Sequence, residues 1–113
     1  MSWQPFDTPQ HWSELLEASN DAPQLVFKHS TRCSISAMVL NRFESSTLFQ
    51  KGILTCWFLD LIAHRDLSNM IATQTNVQHQ SPQCIVLHKG QVIYAESHGA
   101  IAANTIQLML TNQ

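Results

Sequence analysis

Hydrophobic side chains recur along this chain with two alternating periods, and each change of period marks a new element. Trp12, Leu15 and Leu16 fall at i, i+3 and i+4, the spacing that lines one face of a helix. Asp7-Thr8-Pro9 marks its start. Thr8 is placed as an N-cap oxygen, and Pro9 takes the first helical position, where its missing N–H costs nothing. Asn20-Asp21-Ala22-Pro23 ends it, so the spacing predicts a helix over roughly 8–19. Gln24 to Lys28 is a short strand-forming run, bounded by that turn and by the polar His29-Ser30-Thr31, and is expected to be a buried strand. From Ser34 the period is helical again, with Ile35, Met38, Val39 and Phe43 on one face. Leu54 to Ile62 is too short and too apolar for a surface helix and predicts a second buried strand. A third helix follows around Leu67, Met70 and Ile71. Ser81-Pro82 then interrupts the chain before Cys84–His88, and Lys89-Gly90 separates that run from Val92–Ala95, which predicts an antiparallel hairpin. Ile101 to Leu110 closes the chain as a helix.

The order α-β-α-β-α-β-β-α places the chain in the α/β class. Two strand-helix-strand crossovers followed by a hairpin imply a central mixed four-stranded sheet flanked by helices on both faces. Buried strands of such a sheet are near-continuously apolar, as Leu54–Leu61 and Cys84–Leu87 are. With 113 residues, no linker, no repeat and no low-complexity segment, residues 1–113 are expected to form a single domain.

Composition narrows the function. Only 12% of residues are charged, about half the globular average, yet apolar residues are spread along the whole length, which excludes a disordered polar tract. The six Lys and Arg residues are scattered singly, so no basic stripe suits a phosphate backbone and nucleic acid is not an expected partner. Neither a signal-like N-terminus nor an apolar run long enough to span a bilayer is present, so no membrane partner is expected and a cytoplasmic location is. In that setting three widely spaced cysteines, Cys33, Cys56 and Cys84, are not a disulfide framework, and at least one is expected to be a free thiol. No histidine or carboxylate spacing suggests a zinc or hydrolase site, and no metal is expected.

Phe27-Lys28-His29-Ser30-Thr31-Arg32-Cys33-Ser34-Ile35-Ser36 carries the clearest chemistry. A cysteine at a strand-to-helix junction faces unsatisfied N–H groups and the positive end of the helix dipole, both of which favour thiolate over thiol. Arg32 adds positive charge, and His29 is a candidate electrostatic supporter. Ser36, one helical turn on, is placed to donate its hydroxyl to the sulfur, where a Cys-x-x-Cys pair has its second cysteine. With serine there, no internal disulfide closes across the motif, and a thiolate that captures a small thiol needs an outside thiol to release it. Ser81-Pro82 enters a strand, where proline is confined to starts and edges, and a cis bond is one way to turn the chain there.

Together, Cys33 to Ser36 at a helix start, Ser81-Pro82 before the third strand, and a Lys89-Gly90 turn ending eight residues after that proline resemble the thioredoxin superfamily. The longer strings Phe27 to Ala37, Leu59 to Asn69 and Gln80 to Gln83 are similar to the YtxJ-type monothiol bacilliredoxins, over nearly the whole chain. The resemblance implies a thioredoxin-like fold and removal of bacillithiol, or a similar low-molecular-weight thiol, from S-thiolated cytosolic proteins. It implies Cys33 as attacking thiolate and Pro82, in cis, beside it. Thr31, Ser34 and Ser81 join Pro82 as expected substrate contacts. No cofactor is implied beyond the small thiol as co-substrate. Ser34 departs from the proline that commonly follows this cysteine, and Phe27 stands where thioredoxins carry a buried acid, so a thioredoxin-type proton shuttle is not implied.

Cys84 and Cys56 read as inert core thiols, with resolving roles as the alternative. His79 is either a substrate contact or a solvated loop residue, and Asp60 either a buried acid or a strand-end residue reaching solvent. A second functional class stays open: a thioredoxin-like module that binds partner proteins, or carries an iron–sulfur cluster through Cys33 and an external thiol.

Overall fold

The structure is a computed structural model that describes residues 2–111. Its sheet has five strands, in the order β1-β3-β2-β4-β5. They are β1 (Gln4–Pro5), β2 (Gln24–His29), β3 (Thr55–Asp60), β4 (Gln83–His88) and β5 (Gln91–Ser97). β1 and β3, and β3 and β2, pair parallel, whereas β2 with β4 and β4 with β5 pair antiparallel. The helices are α1 (Pro9–Ala18), α2 (Ser34–Glu44), α3 (Thr47–Gln50), α4 (Arg65–Thr75) and α5 (Ala103–Thr111).

The α/β class and the mixed sheet agree with the expected fold, but the sheet has five strands where four were expected. The added strand is β1, which aligns Gln4 with Trp57 and Pro5 with Phe58. Two residues cannot display a period, and proline is tolerated here because the strand lies at the sheet edge. Trp3 holds it in place, its ring centroid 4.8–5.8 Å from those of Phe49, Phe58, Phe43 and Phe27. Its Nε1 donates to Glu44 Oε2 at 2.7 Å. The short α3 also lay below the reach of periodicity; Ser46 caps it by accepting the Phe49 N–H at 3.3 Å.

Every residue of β2 is buried, because helices cover both faces of the sheet. On one face Leu25, Phe27, Cys56, Cys84 and Val86 pack against Val39 and Phe43 of α2, Leu48 of α3 and Ile106 of α5. On the other, Val26, Trp57, Leu59, Ile85 and Leu87 pack against Trp12 and Leu15 of α1 and Leu67 and Ile71 of α4. Thr8 caps α1 as expected, accepting the His11 N–H at 3.3 Å. The β4–β5 turn has positive φ at both Lys89 (54°) and Gly90 (74°), the pair of left-handed residues a tight two-residue hairpin requires. Buried Ser19 fastens that turn to the end of α1, accepting the Lys89 N–H at 2.7 Å and the Gly90 N–H at 3.0 Å.

Candidate active site

β2, the central strand, ends at His29, whose carbonyl accepts the Leu61 N–H at 2.8 Å. Thr31 and Arg32 are exposed in the loop that follows, and Cys33 is the N-cap of α2, in extended conformation (φ −115°, ψ 117°). Its carbonyl accepts the Ala37 N–H at 3.1 Å, while its side chain makes no capping bond. The sulfur thus occupies the position where a serine or aspartate oxygen would normally receive first-turn N–H groups. The same groups and the helix dipole favour a negative charge there. Cys33 is partly exposed, and no disulfide engages it.

Ser30 organises the loop, although nothing singled it out in the sequence except its place between a buried strand and a helix cap. Its carbonyl accepts the Cys33 N–H at 3.2 Å, its hydroxyl accepts the Arg32 N–H at 3.4 Å, and its own N–H donates to Ser36 Oγ at 3.1 Å. Ser36 is fully buried, and its Oγ also lies 2.8 Å from His29 Nδ1. Ser36, expected to donate to the sulfur, is thus engaged by the Ser30 N–H and by His29 Nδ1. The Ser30 N–H, buried just beyond the strand end, needs an acceptor, and Ser36 supplies it while bonding to His29. His29 is likewise not a loop residue but the buried last residue of β2, 5.6 Å from the Phe58 ring. Burial pushes its pKa below the ordinary histidine value, against the opposing pull of Asp60 and Glu44.

Because β4 runs antiparallel to β2 with Gln83 opposite Lys28, Pro82 lies level with His29, at the Cys33 end of the sheet. The Ser81–Pro82 bond is cis, and the Pro82 carbonyl accepts the His98 N–H at 2.9 Å. The Ser81 hydroxyl is buried and has no hydrogen-bond partner among the described residues. Ser34 is exposed beside Cys33. Ile35 and Met38, placed by periodicity on the same face as Val39 and Phe43, are instead 51% and 59% exposed, which leaves an apolar rim next to Cys33.

The other two thiols belong to the core. Cys56 is buried and its pKa is pushed up to about 12; fully buried Cys84 is raised well above the ordinary thiol value, in both cases chiefly by desolvation. Asp60 caps the turn after β3, accepting the Ile62 and Ala63 N–H groups at 3.0 and 3.3 Å. His79 is half-buried, its Nδ1 2.9 Å from Ser68 Oγ. No group of three or more metal-ligating side chains occurs among the described residues, and no helix there is long and apolar enough to cross a membrane.

Comparison with known proteins identifies the fold and the family. One solved structure, assigned as an oxidoreductase with a thioredoxin fold, superposes with a TM-score of 0.80 at 28% identity, over 92% of this chain and 89% of that one. Thioredoxin from Trypanosoma brucei brucei (TM-score 0.71, 13% identity, 98% and 89% coverage) shares the fold. So does mitochondrial thioredoxin 3 from Saccharomyces cerevisiae (0.71, 15%, 98% and 95%). The monothiol bacilliredoxin BrxC family matches residues 4–106. With one accessible thiol at the start of α2 and serine in place of a second cysteine, the chain belongs to the monothiol bacilliredoxin BrxC family.

Proposed function

We propose that this thiol-disulfide oxidoreductase removes bacillithiol, or a similar low-molecular-weight thiol, from mixed disulfides on cytoplasmic proteins, with Cys33 as the nucleophile. The Cys33 thiolate attacks the small thiol's sulfur; a Cys33–small-thiol disulfide forms, and the substrate cysteine leaves as thiolate and takes a proton from solvent. A second molecule of the small thiol then attacks that disulfide. It departs as the symmetric small-thiol disulfide, and Cys33 is regenerated as thiolate. Arg32 lends positive charge at the loop mouth, Thr31, Ser34 and the Ser81–Pro82 backbone flank the bound disulfide, and exposed Ile35 and Met38 meet apolar surface on the protein substrate.

The observation that carries this reading is the contrast among the three thiols: Cys33 partly exposed at a helix N-cap, Cys56 and Cys84 sealed in the core. Neither buried thiol is placed to resolve the mixed disulfide, so an external thiol has to. Mass spectrometry after mixing the protein with a bacillithiolated substrate tests it. The small thiol should appear on Cys33, Cys33→Ala should abolish transfer, and Cys56→Ala and Cys84→Ala should retain most of it. An unmodified Cys33 alongside a fully reduced substrate would overturn the proposal.

A further inference from the structure

Ser36 Oγ stands between two groups that constrain where its proton goes. It accepts the Ser30 N–H and lies 2.8 Å from His29 Nδ1. A hydroxyl has one proton and two acceptor lone pairs. When Nδ1 is bare, Ser36 gives its proton to the ring and has none for the sulfur. When Nδ1 carries a proton, the ring and the Ser30 N–H fill both lone pairs, and the hydroxyl proton must turn elsewhere. Ser36 is fully buried, so that proton is directed to a protein acceptor. Cys33 and Ser36 are the N-cap and N3 residues of α2, three positions apart and so neighbours on its first turn, and the Cys33 side chain has no capping bond.

We infer that His29 is a positioning residue for Cys33 and acts through Ser36: a proton on Nδ1 turns the Ser36 hydroxyl toward Sγ. This rests on Cys33 being the reacting thiol and adds how its charge is controlled. The same hydroxyl serves both half-reactions, holding the anion that attacks and receiving the anion that leaves when the external thiol regenerates Cys33. The charges acting on the ring are Asp60 at the end of β3 and Glu44 at the end of α2, with Phe58 against its face. Arg32 and Cys33 lie in the adjoining loop and cap. Burial outweighs the two carboxylates and favours the neutral ring; the proposed arrangement is its Nδ1–H tautomer.

Iodoacetamide alkylation of Cys33, followed by peptide mass spectrometry across a pH series, tests this. Ser36→Ala and His29→Ala should each slow alkylation at about pH 6 by roughly tenfold, the size of a hydrogen bond to a charged group. The double variant should be no slower than Ser36→Ala alone, since one residue acts through the other. His29→Asn should restore most of the rate, because its amide N–H stands where Nδ1–H stood. His29→Gln, which sets its amide farther out, should not. The Asn and Gln pair keeps the test valid if His29→Ala fails to fold. Additive losses, or Asn and Gln variants that react alike, would overturn the inference. Small-thiol transfer to Cys33 with unchanged alkylation profiles would defeat this inference alone, whereas rapid alkylation without transfer would defeat the proposed function alone.

Discussion

Lys28 on β2 and Gln83 on β4 stand directly opposite one another in the antiparallel register, and both are buried. Lys28 Nζ donates to the Ser68 carbonyl at 3.2 Å, and the Gln83 amide nitrogen donates to the Gln78 carbonyl at 2.8 Å. Gln83 Oε1 has no partner, and no carboxylate pairs with Lys28 among the described residues. Burial lowers the lysine pKa from 10.5 to about 8. The cation is therefore held at a cost, close to the strand end that carries the active-site loop.

Replacing Lys28 with Met should stabilise the fold near neutral pH by on the order of 2 kcal/mol, the relief of a buried charge less one lost hydrogen bond. The sign follows from linkage. Below pH 8 the lysine is protonated in both states and its burial penalty is fully present. Between about 8 and 10.5 the folded chain sheds the proton while the unfolded chain keeps it, so native stability recovers as pH rises. The advantage of Lys28→Met in urea unfolding should thus shrink across that interval; an advantage that stays constant from neutral to alkaline pH would refute the assignment.

Acid should weaken the fold for the opposite group. His29 and His79 both have lowered pKa values, His29 chiefly through burial and His79 through burial with help from Lys28 and Arg65. The unfolded chain takes up protons at the ordinary value of 6.5 while the folded chain resists them. Stability supplied by the neutral rings is complete above that pH and is lost as pH falls below it. Urea midpoints should fall between about pH 7.5 and 5.5, and fall less in a His29→Asn, His79→Gln variant. Equal losses in both proteins would count against it.

Thiol counting separates the three cysteines without any substrate. At mildly alkaline pH a disulfide reagent such as Ellman's should consume one thiol per chain quickly, on Cys33. The other two should appear only after unfolding, because desolvation keeps Cys56 and Cys84 protonated. Fast reaction of two or three native thiols would contradict the buried assignments.

Ser36→Cys should convert the monothiol site into a dithiol. The new sulfur lies one turn from Cys33, so oxidation should consume both thiols within one chain, and the small-thiol adduct should no longer accumulate. Sulfur is a poor acceptor for the Ser30 N–H, so thermal stability should fall by about 1–2 kcal/mol. Persistence of the adduct in the oxidised variant would show that the two side chains do not meet.

Local signals were sufficient for most of the fold. The cap at Thr8, the stop at Pro23, the Lys89-Gly90 turn and the apolar runs of β2, β3 and β4 are written in neighbouring residues, and each survives in the structure to within a residue or two. The same holds for Cys33, since a cysteine at a strand-to-helix junction and a proline entering a strand are both local features. What the chain could not declare depends on partners far apart in sequence. β1 exists only because Gln4 and Pro5 lie against Trp57 and Phe58. Ile35 and Met38 are exposed because α2 meets the sheet through Val39 and Phe43. Ser36 was legible as the missing second cysteine, yet its hydroxyl bonds to a ring on β2 and to a loop N–H. A side chain's type is local, but the partner that claims its proton is chosen by whichever element the fold packs against it, and that choice is made only in three dimensions.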